Sequence, residues 1–307
     1  MMLLNCRRAR RIPGRQRSPG CNTAVVAEAS PLPIIAVRVI EGRVGSTLLM
    51  NLLGTSPAVV FDRRYPAEYR FLSYFAHMAE QMTEPFDAER HLRVTPFFFG
   101  DQPTWGPVPF TTEVLDVGTL TSPLLRSMWA AWSEQARVAR PTARFYAEKL
   151  AVPIEPLLAA HLDLRLIDLV RDPRDILASI RSFTARGTDG FRRRAGQSEA
   201  EYLTGFVERT VERVGLLHAT PSTVDQLVLR YEDLAGDVEA AAVRIGRWLG
   251  LELDPATVLA QPDPKRHRTT PSVAESIGRW RRDLSAEEAA TIAAALRVPM
   301  AQFGYDL

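Results

Sequence analysis

The sequence predicts an α/β protein in which helices cover both faces of a central parallel β-sheet. Three observations predict it. Short apolar, β-branched runs recur at residues 34–40, 144–147, 164–170 and 227–231. Segments with helical periodicity stand between them, and strands alternating with helices make a parallel sheet buried on both faces. The first run ends in the turn Gly42-Arg43-Val44-Gly45-Ser46-Thr47, which opens directly into a helix.

Each element has a local reason. Pro31-Leu32-Pro33 closes an N-terminal tail, and the strand follows. After the turn, Leu48, Leu49, Leu52 and Leu53 recur at helical spacing and Gly54 is a stop signal. A second helix is predicted over about residues 65–82, with Pro66 in its first turn. Residues 95–123 hold five Pro and the run Phe97-Phe98-Phe99, and read as an irregular loop. Such loops are often functional, and Trp105 and Phe110 there are candidates for an apolar acceptor wall. The strand at 144–147 enters Glu148-Lys149, and the strand at 164–170 is followed by a helix opened by Pro173. Helices are predicted over 199–218, from about 237 to 249, and over 286–296.

The chain has 307 residues, 46% hydrophobic and 24% charged, enough for a substantial core. Residues 1–30 carry six Arg against the single acid Glu28, a net of +5 that leaves −3 on the rest. We expect residues 1–30 to be a disordered basic arm and residues 31–307 a single domain. The formal net charge of +2 favours neither nucleic-acid wrapping nor membrane-surface binding. Both cysteines, Cys6 and Cys21, lie in the arm, so the domain has no disulfide and no thiol nucleophile. A reducing, cytoplasmic location is expected. The arm lacks the roughly 7–15-residue apolar stretch of a secretory signal. No apolar run reaches the about 18 residues of a membrane-spanning helix.

A loop between a parallel strand and a helix lies at the carboxyl edge of the sheet, where open α/β folds bind ligands. The helix N-terminus there offers unpaired N–H groups to an anion, and Gly42 and Gly45 let backbone come close. Ser46 and Thr47 add hydroxyls and Arg43 adds charge. A Walker A loop needs four residues between its glycines and then Lys; here two separate Gly42 from Gly45, and Ser46 follows. Farther on, Arg171 stands at a strand end, where a guanidinium can grip a phosphate in bidentate fashion. Ser179 lies two helical turns away on the same side. A salt bridge from Arg171 to Asp172 or Asp175 is the structural alternative.

These stretches resemble the PAPS-dependent sulfotransferases, in particular the bacterial and Golgi-type branch of that P-loop-like fold. Residues 42–48 are similar to the family's 5'-phosphosulfate loop, and residues 169–179 to its 3'-phosphate segment. Arg230-Tyr231-Glu232-Asp233 resembles a strand end whose Tyr lies near the adenine, and Ile277-Gly278-Arg279-Trp280 a C-terminal Gly-x-Trp segment. The resemblance implies 3'-phosphoadenosine 5'-phosphosulfate (PAPS) as co-substrate, held by Arg43, Val44, Gly45, Ser46, Thr47, Arg171, Ser179 and Tyr231. It implies no metal, and the five His are scattered. The acceptor is a hydroxyl or amine of a small molecule or glycan. Two departures stand out. Leu48 occupies the place of a Trp common in cytosolic relatives, and Val273-Ala274-Glu275 that of Arg-Lys-Gly. Arg266, His267 and Arg268 are nearby candidates for the missing third contact to the 3'-phosphate.

Sulfuryl transfer needs a base for the acceptor proton and cations for the sulfuryl and leaving oxygens. Arg43 matches the family's catalytic cation. Lys149, in an Ala-Glu-Lys strand end, resembles one that points at the transferring sulfate; surface pairing with Glu148 or Glu155 is its alternative. The chain has no match to the cytosolic Lys-x-His base. Glu68, in Glu68-Tyr69-Arg70-Phe71-Leu72, resembles the Golgi-type carboxylate base, and in the first turn of its helix it would sit well beside the dipole. Asp62 is the second candidate, or a helix cap. A P-loop-like small-molecule kinase and a non-catalytic nucleotide-binding protein are the other readings of such a loop; the missing Walker Lys weighs against the first.

Overall fold

β1 (Ile34–Val39) is the middle of the sheet because all but its last residue is buried and apolar or paired. In the computed structural model, which describes residues 30–64, 66–82, 116, 118–186, 196–260, 269–272 and 274–307, five parallel strands lie in the order β2-β3-β1-β4-β5. β2 is Val59–Val60, β3 Phe145–Lys149, β4 Leu164–Val170 and β5 Asp225–Arg230. Ile34 of β1 stands opposite Tyr146 of β3 and Leu164 of β4, which brings the carboxyl ends of the three central strands to one edge. All these elements lie within the unit Pro31–Leu307.

The pleat divides the core into two layers. Ile35 and Val37 pack with Ala147, Ile167 and Leu169 on one face; Ile34 and Ala36 pack with Tyr146, Leu164 and Leu166 on the other. The helices, in chain order, are α1 (Ser46–Leu53), α2 (Phe71–Met82), α3 (Gly118–Ala139), α4 (Glu155–Ala159), α5 (Pro173–Thr184), α6 (Glu199–His218), α7 (Tyr231–Gly236), α8 (Val238–Leu249), α9 (Pro255–Ala260), α10 (Trp280–Asp283) and α11 (Ala286–Ala301). Helices α1, α5, α6, α8 and α11 cover the first face, and α2, α3 and α4 the second. Both faces are therefore covered, the arrangement expected of buried parallel strands. Among the described residues no helix is long and apolar enough to cross a membrane.

Three sequence expectations need correction. The second helix starts at Phe71, not near residue 65. Ala67 has φ +61°, a left-handed conformation that no α-helix accommodates, so Pro66–Arg70 forms a turn and an irregular stretch ahead of α2. Glu68 therefore lies outside the helix. Asp62 does not cap it either: its carboxylate accepts from the backbone and guanidinium of Arg64. The expected loop over 95–123 ends by Gly118, where α3 begins. Pro123 lies in its second turn at the cost of one backbone bond, while Thr121, Leu125, Trp129 and Ser133 form a buried stripe at four-residue spacing that holds the helix on the sheet. Residues 95–115, including Trp105 and Phe110, lie outside the described residues. Two smaller shifts are that β5 ends at Arg230, so Tyr231 opens α7, and that the last helix runs on to Ala301.

Candidate active site

The turn after β1 is shaped by two left-handed residues, Arg43 at φ +68° and Gly45 at φ +92°. Between them Val44 is buried in the core and anchors the turn. Gly45 is also required by crowding: a Cβ there would sit 2.4 Å from Cδ2 of Tyr231. The glycine thus serves first to let the turn close on an aromatic ring. Ser46 and Thr47 open α1, so their hydroxyls and the helix's unpaired amides face a cleft of about 1880 Å³ at the sheet's carboxyl edge.

On one side of this turn is Arg171, 3% exposed. One η nitrogen donates to the Arg43 carbonyl at 2.8 Å and the other to the Ser276 carbonyl at 2.5 Å. The guanidinium lies over the Tyr231 ring, 4.2 Å from its centroid. Its Nε is buried with no hydrogen-bond partner among the described residues. Neither Asp172 nor Asp175 forms a salt bridge with it. Asp172 pairs with Arg174 at 2.8 Å and caps α5 through the Arg174 amide. Asp175 accepts from the amides of Gly278 and Trp280, which fixes the C-terminal segment. Burial raises the Asp175 carboxyl, opposed by the Trp280 amide and then by the charge of Arg171. A buried guanidinium held by carbonyls, with an orphaned Nε, fits an anion such as a phosphate.

Ser179 faces the same space. Its Oγ accepts from Arg43 Nε at 3.4 Å and lies 3.2 Å from Oγ1 of Thr269. The Arg43 guanidinium also stacks over Phe183, 4.3 Å from the ring centroid, so its contacts here are with α5. Arg279 Nη1 donates to Thr269 Oγ1 at 2.8 Å and its Nη2 to Ser182 Oγ at 2.6 Å. Tyr231 closes the group through a 2.8 Å hydrogen bond between its hydroxyl and that of Ser276.

On the other side is Lys149, at the end of β3 and 5% exposed. Its ammonium donates to Thr47 Oγ1 at 3.0 Å and to the Pro66 carbonyl at 2.7 Å. Glu68 Oε1 is 3.5 Å away, and the other Glu68 oxygen is 3.7 Å from Arg70. Lys149 therefore turns inward to the donor turn rather than to Glu148 or Glu155. Burial pushes its ammonium down from the usual 10.5 to about 8, against the pull of Glu68. Two residues on, past the end of β3, the residue is Ala151, so no imidazole is offered there. The structure brings Thr47, Lys149 and Glu68 together at one point of the cleft, and Arg43, Arg171, Ser179 and Tyr231 together at another.

The profile described as "Sulfotransferase family" matches residues 41–255. The chain belongs to the sulfotransferase family. Human (Homo sapiens) carbohydrate sulfotransferase 3 is 30% identical to this sulfotransferase over 168 residues, 48% of the chain and 34% of that protein. Mouse (Mus musculus) carbohydrate sulfotransferase 1 is 31% identical over 164 residues, 48% of the chain and 40% of that protein. The matches thus span well under half of those relatives' own length. Among solved structures, the sulfotransferase domain of the Synechococcus PCC 7002 olefin synthase aligns with a TM-score of 0.47 and 17% identity, covering 91% of this chain and 98% of that one.

Several residues of this sulfotransferase's site escaped the sequence reading. Thr269 and Arg279 approach Ser179 from nearly a hundred residues away, and nothing local marks them. Arg279 sits inside the recognised Gly-x-Trp segment, which was the available signal. Arg266, His267 and Arg268 lie outside the described residues, as does Val273. Glu148 proves to be buried and bound to α2 rather than paired with Lys149.

Proposed function

We propose that this chain transfers a sulfuryl group from PAPS to a hydroxyl or amine of an acceptor, with Glu68 as general base. The observation that carries the proposal is the convergence of a donor-turn hydroxyl, an ammonium and a half-exposed carboxylate: Lys149 Nζ is 3.0 Å from Thr47 Oγ1 and 3.5 Å from Glu68 Oε1. The 3'-phosphate is assigned to Arg171, Ser179 and Thr269, with Arg279 behind Thr269; the 5'-phosphosulfate is assigned to Val44, Gly45, Ser46 and Thr47. In the reaction the acceptor oxygen or nitrogen forms a bond to sulfur as the bond from sulfur to the 5'-phosphate oxygen breaks. The acceptor proton passes to the Glu68 carboxylate, and 3',5'-adenosine bisphosphate leaves. Lys149 supplies a cation to the sulfuryl oxygens, and Arg43, turned from its contacts with Ser179 and Phe183, one to the leaving phosphate, which is where fixed charge lowers the barrier. Lys149 is mostly protonated at neutral pH even after its downward shift to about 8. The names of the human and mouse relatives favour a carbohydrate acceptor, and the cysteine distribution favours the cytoplasm.

The test has two parts. The bisphosphate should stabilise the protein to heat more than ATP does, because a ligand that binds only the native state raises stability by mass action. Labelled sulfate from PAPS should pass into a fractionated cell extract, and Glu68→Gln should slow that transfer by about 10²–10⁴-fold with bisphosphate affinity unchanged. Equal stabilisation by ATP would overturn the donor assignment. An active Glu68→Gln beside a dead Asp62→Asn would move the base to Asp62.

A further inference from the structure

The strand that supplies Lys149 also carries Glu148, a 1% exposed acid that the proposed chemistry does not use. Neighbours on a strand point to opposite faces. Lys149 faces α1, while Glu148 shares the face of Tyr146, beneath α2. Its two carboxylate oxygens are filled by four donors. Oε2 accepts from the Leu72 amide at 2.8 Å and from the Tyr146 hydroxyl; Oε1 accepts from the Ser73 amide at 2.8 Å and from the Ser73 hydroxyl. Leu72 and Ser73 are in the first turn of α2, whose amides have no partner within the helix. A carboxylate there completes the helix end and suits its dipole. The cap therefore comes from a strand 75 residues away rather than from the helix's own sequence.

The consequence is geometric. The stretch 66–70, with left-handed Ala67, crosses the end of β3 before α2 begins. Lys149 holds its start through the Pro66 carbonyl, and Glu148 holds its end through Leu72 and Ser73. Glu68 hangs between these two anchors. We propose that Glu148 is a positioning residue, the second point of a two-sided clamp by which β3 fixes Glu68 against Lys149. This rests on the reading of Glu68 as base. Burial first, and then the charge of Glu148, hold the Tyr146 phenol protonated well above its ordinary range, which keeps it a donor to the clamp.

Glu148→Gln keeps the shape but puts an NH₂ where one oxygen must accept. Amide exchange in a peptide covering residues 66–76 should speed up at least tenfold, while exchange in β1 and β4 stays as in the parent. Transfer of labelled sulfate should fall at least tenfold with bisphosphate affinity held within about twofold. In a Glu68→Gln background the same change should cost no more than about twofold further, because both act through one group. Ser73→Ala, which removes one donor, should show a milder version of the same pattern and serves if Glu148→Gln does not fold. Unchanged exchange at 66–76, or losses that multiply in the double variant, overturn the clamp. If Glu68→Gln alone keeps full turnover, the base assignment fails, and the clamp is then judged on the exchange measurement alone.

Discussion

Arg38 and Arg171 are both buried arginines, one within β1 and one just past the end of the adjacent β4, and they are partnered in opposite ways. Arg38, within β1, makes two 2.7 Å bonds to Asp168 of β4, a carboxylate with no exposed surface. Arg171, just past the end of β4, is held by two carbonyls and a tyrosine ring, with Nε unpartnered. The first charge is neutralised by the protein. The second is surrounded by oriented dipoles and forms no salt bridge among the described residues, the Asp175 carboxyl acting on it only through space. Under the proposed function the 3'-phosphate is the partner that this buried guanidinium takes. Lys149 is an intermediate case, with a half-exposed Glu68 as its anionic neighbour among the described residues.

Removing Arg38 should have the largest effect. Arg38→Ala leaves Asp168 buried and unpaired, and should cost about 3–5 kcal/mol of stability in denaturant titration. The paired change Arg38→Met with Asp168→Leu should recover most of that, and neither variant should weaken the bisphosphate by more than about twofold once folded. Lys149→Ala comes next. Sulfate transfer should drop at least about 100-fold while bisphosphate binding holds, since that product lacks the sulfuryl group. Its pH signature has a definite sign. The folded state releases the Lys149 proton near 8 and the unfolded chain near 10.5, so the unfolded chain binds more protons in that window. Stability should therefore gain about 1.4 kcal/mol per pH unit from this group as pH rises from 8 towards 10.5, and Lys149→Met should lack that gain. A parent and variant with parallel pH curves would refute the shift.

Arg171→Ala should leave stability nearly intact or improved. Its cost should appear in binding, at about 1.5–3 kcal/mol, a tenfold or greater loss of bisphosphate affinity. Adenosine 5'-phosphosulfate, which has no 3'-phosphate, should bind almost as before. If both ligands weaken equally, Arg171 resembles Arg38 and the contrast fails. The smallest effect belongs to Thr269→Val, which keeps the shape and removes the hydroxyl between Ser179 and Arg279. A loss of about 0.5–1.5 kcal/mol in bisphosphate affinity is expected, read by calorimetry.

The legibility of the molecule follows the same division between local and distant partners. The β1 turn with α1, and β4 with α5, were readable because strand, turn and helix start are consecutive and each carries its own signal: Gly54 as stop, Pro173 as opener. α3 was hidden by Pro123, since a proline-rich stretch reads as loop when the buried stripe that outweighs it is not counted. The start of α2 was misplaced because its cap, Glu148, lies on another strand. Glu68 is singled out by resemblance alone, and its setting differs from the one expected: it lies 3.5 Å from Lys149 in the irregular stretch ahead of α2, not in a helical first turn. Thr269 and Arg279 needed the fold itself, because only the packing of the C-terminal segment on α5 brings them to Ser179.

The hydrogen bond of Tyr231 to Ser276, and of Arg171 to the same residue's carbonyl, has a bearing on synthesis. The five strands among the described residues end by Arg230, so a nascent chain carries them before Ser276, which closes on Tyr231 and Arg171, has been translated. A product released early, short of Ser276, would lack both that closure and the core packing of α11, whose Ile292, Leu296 and Met300 are fully buried. Nucleotide retention on an affinity column would then sort finished molecules from prematurely terminated ones.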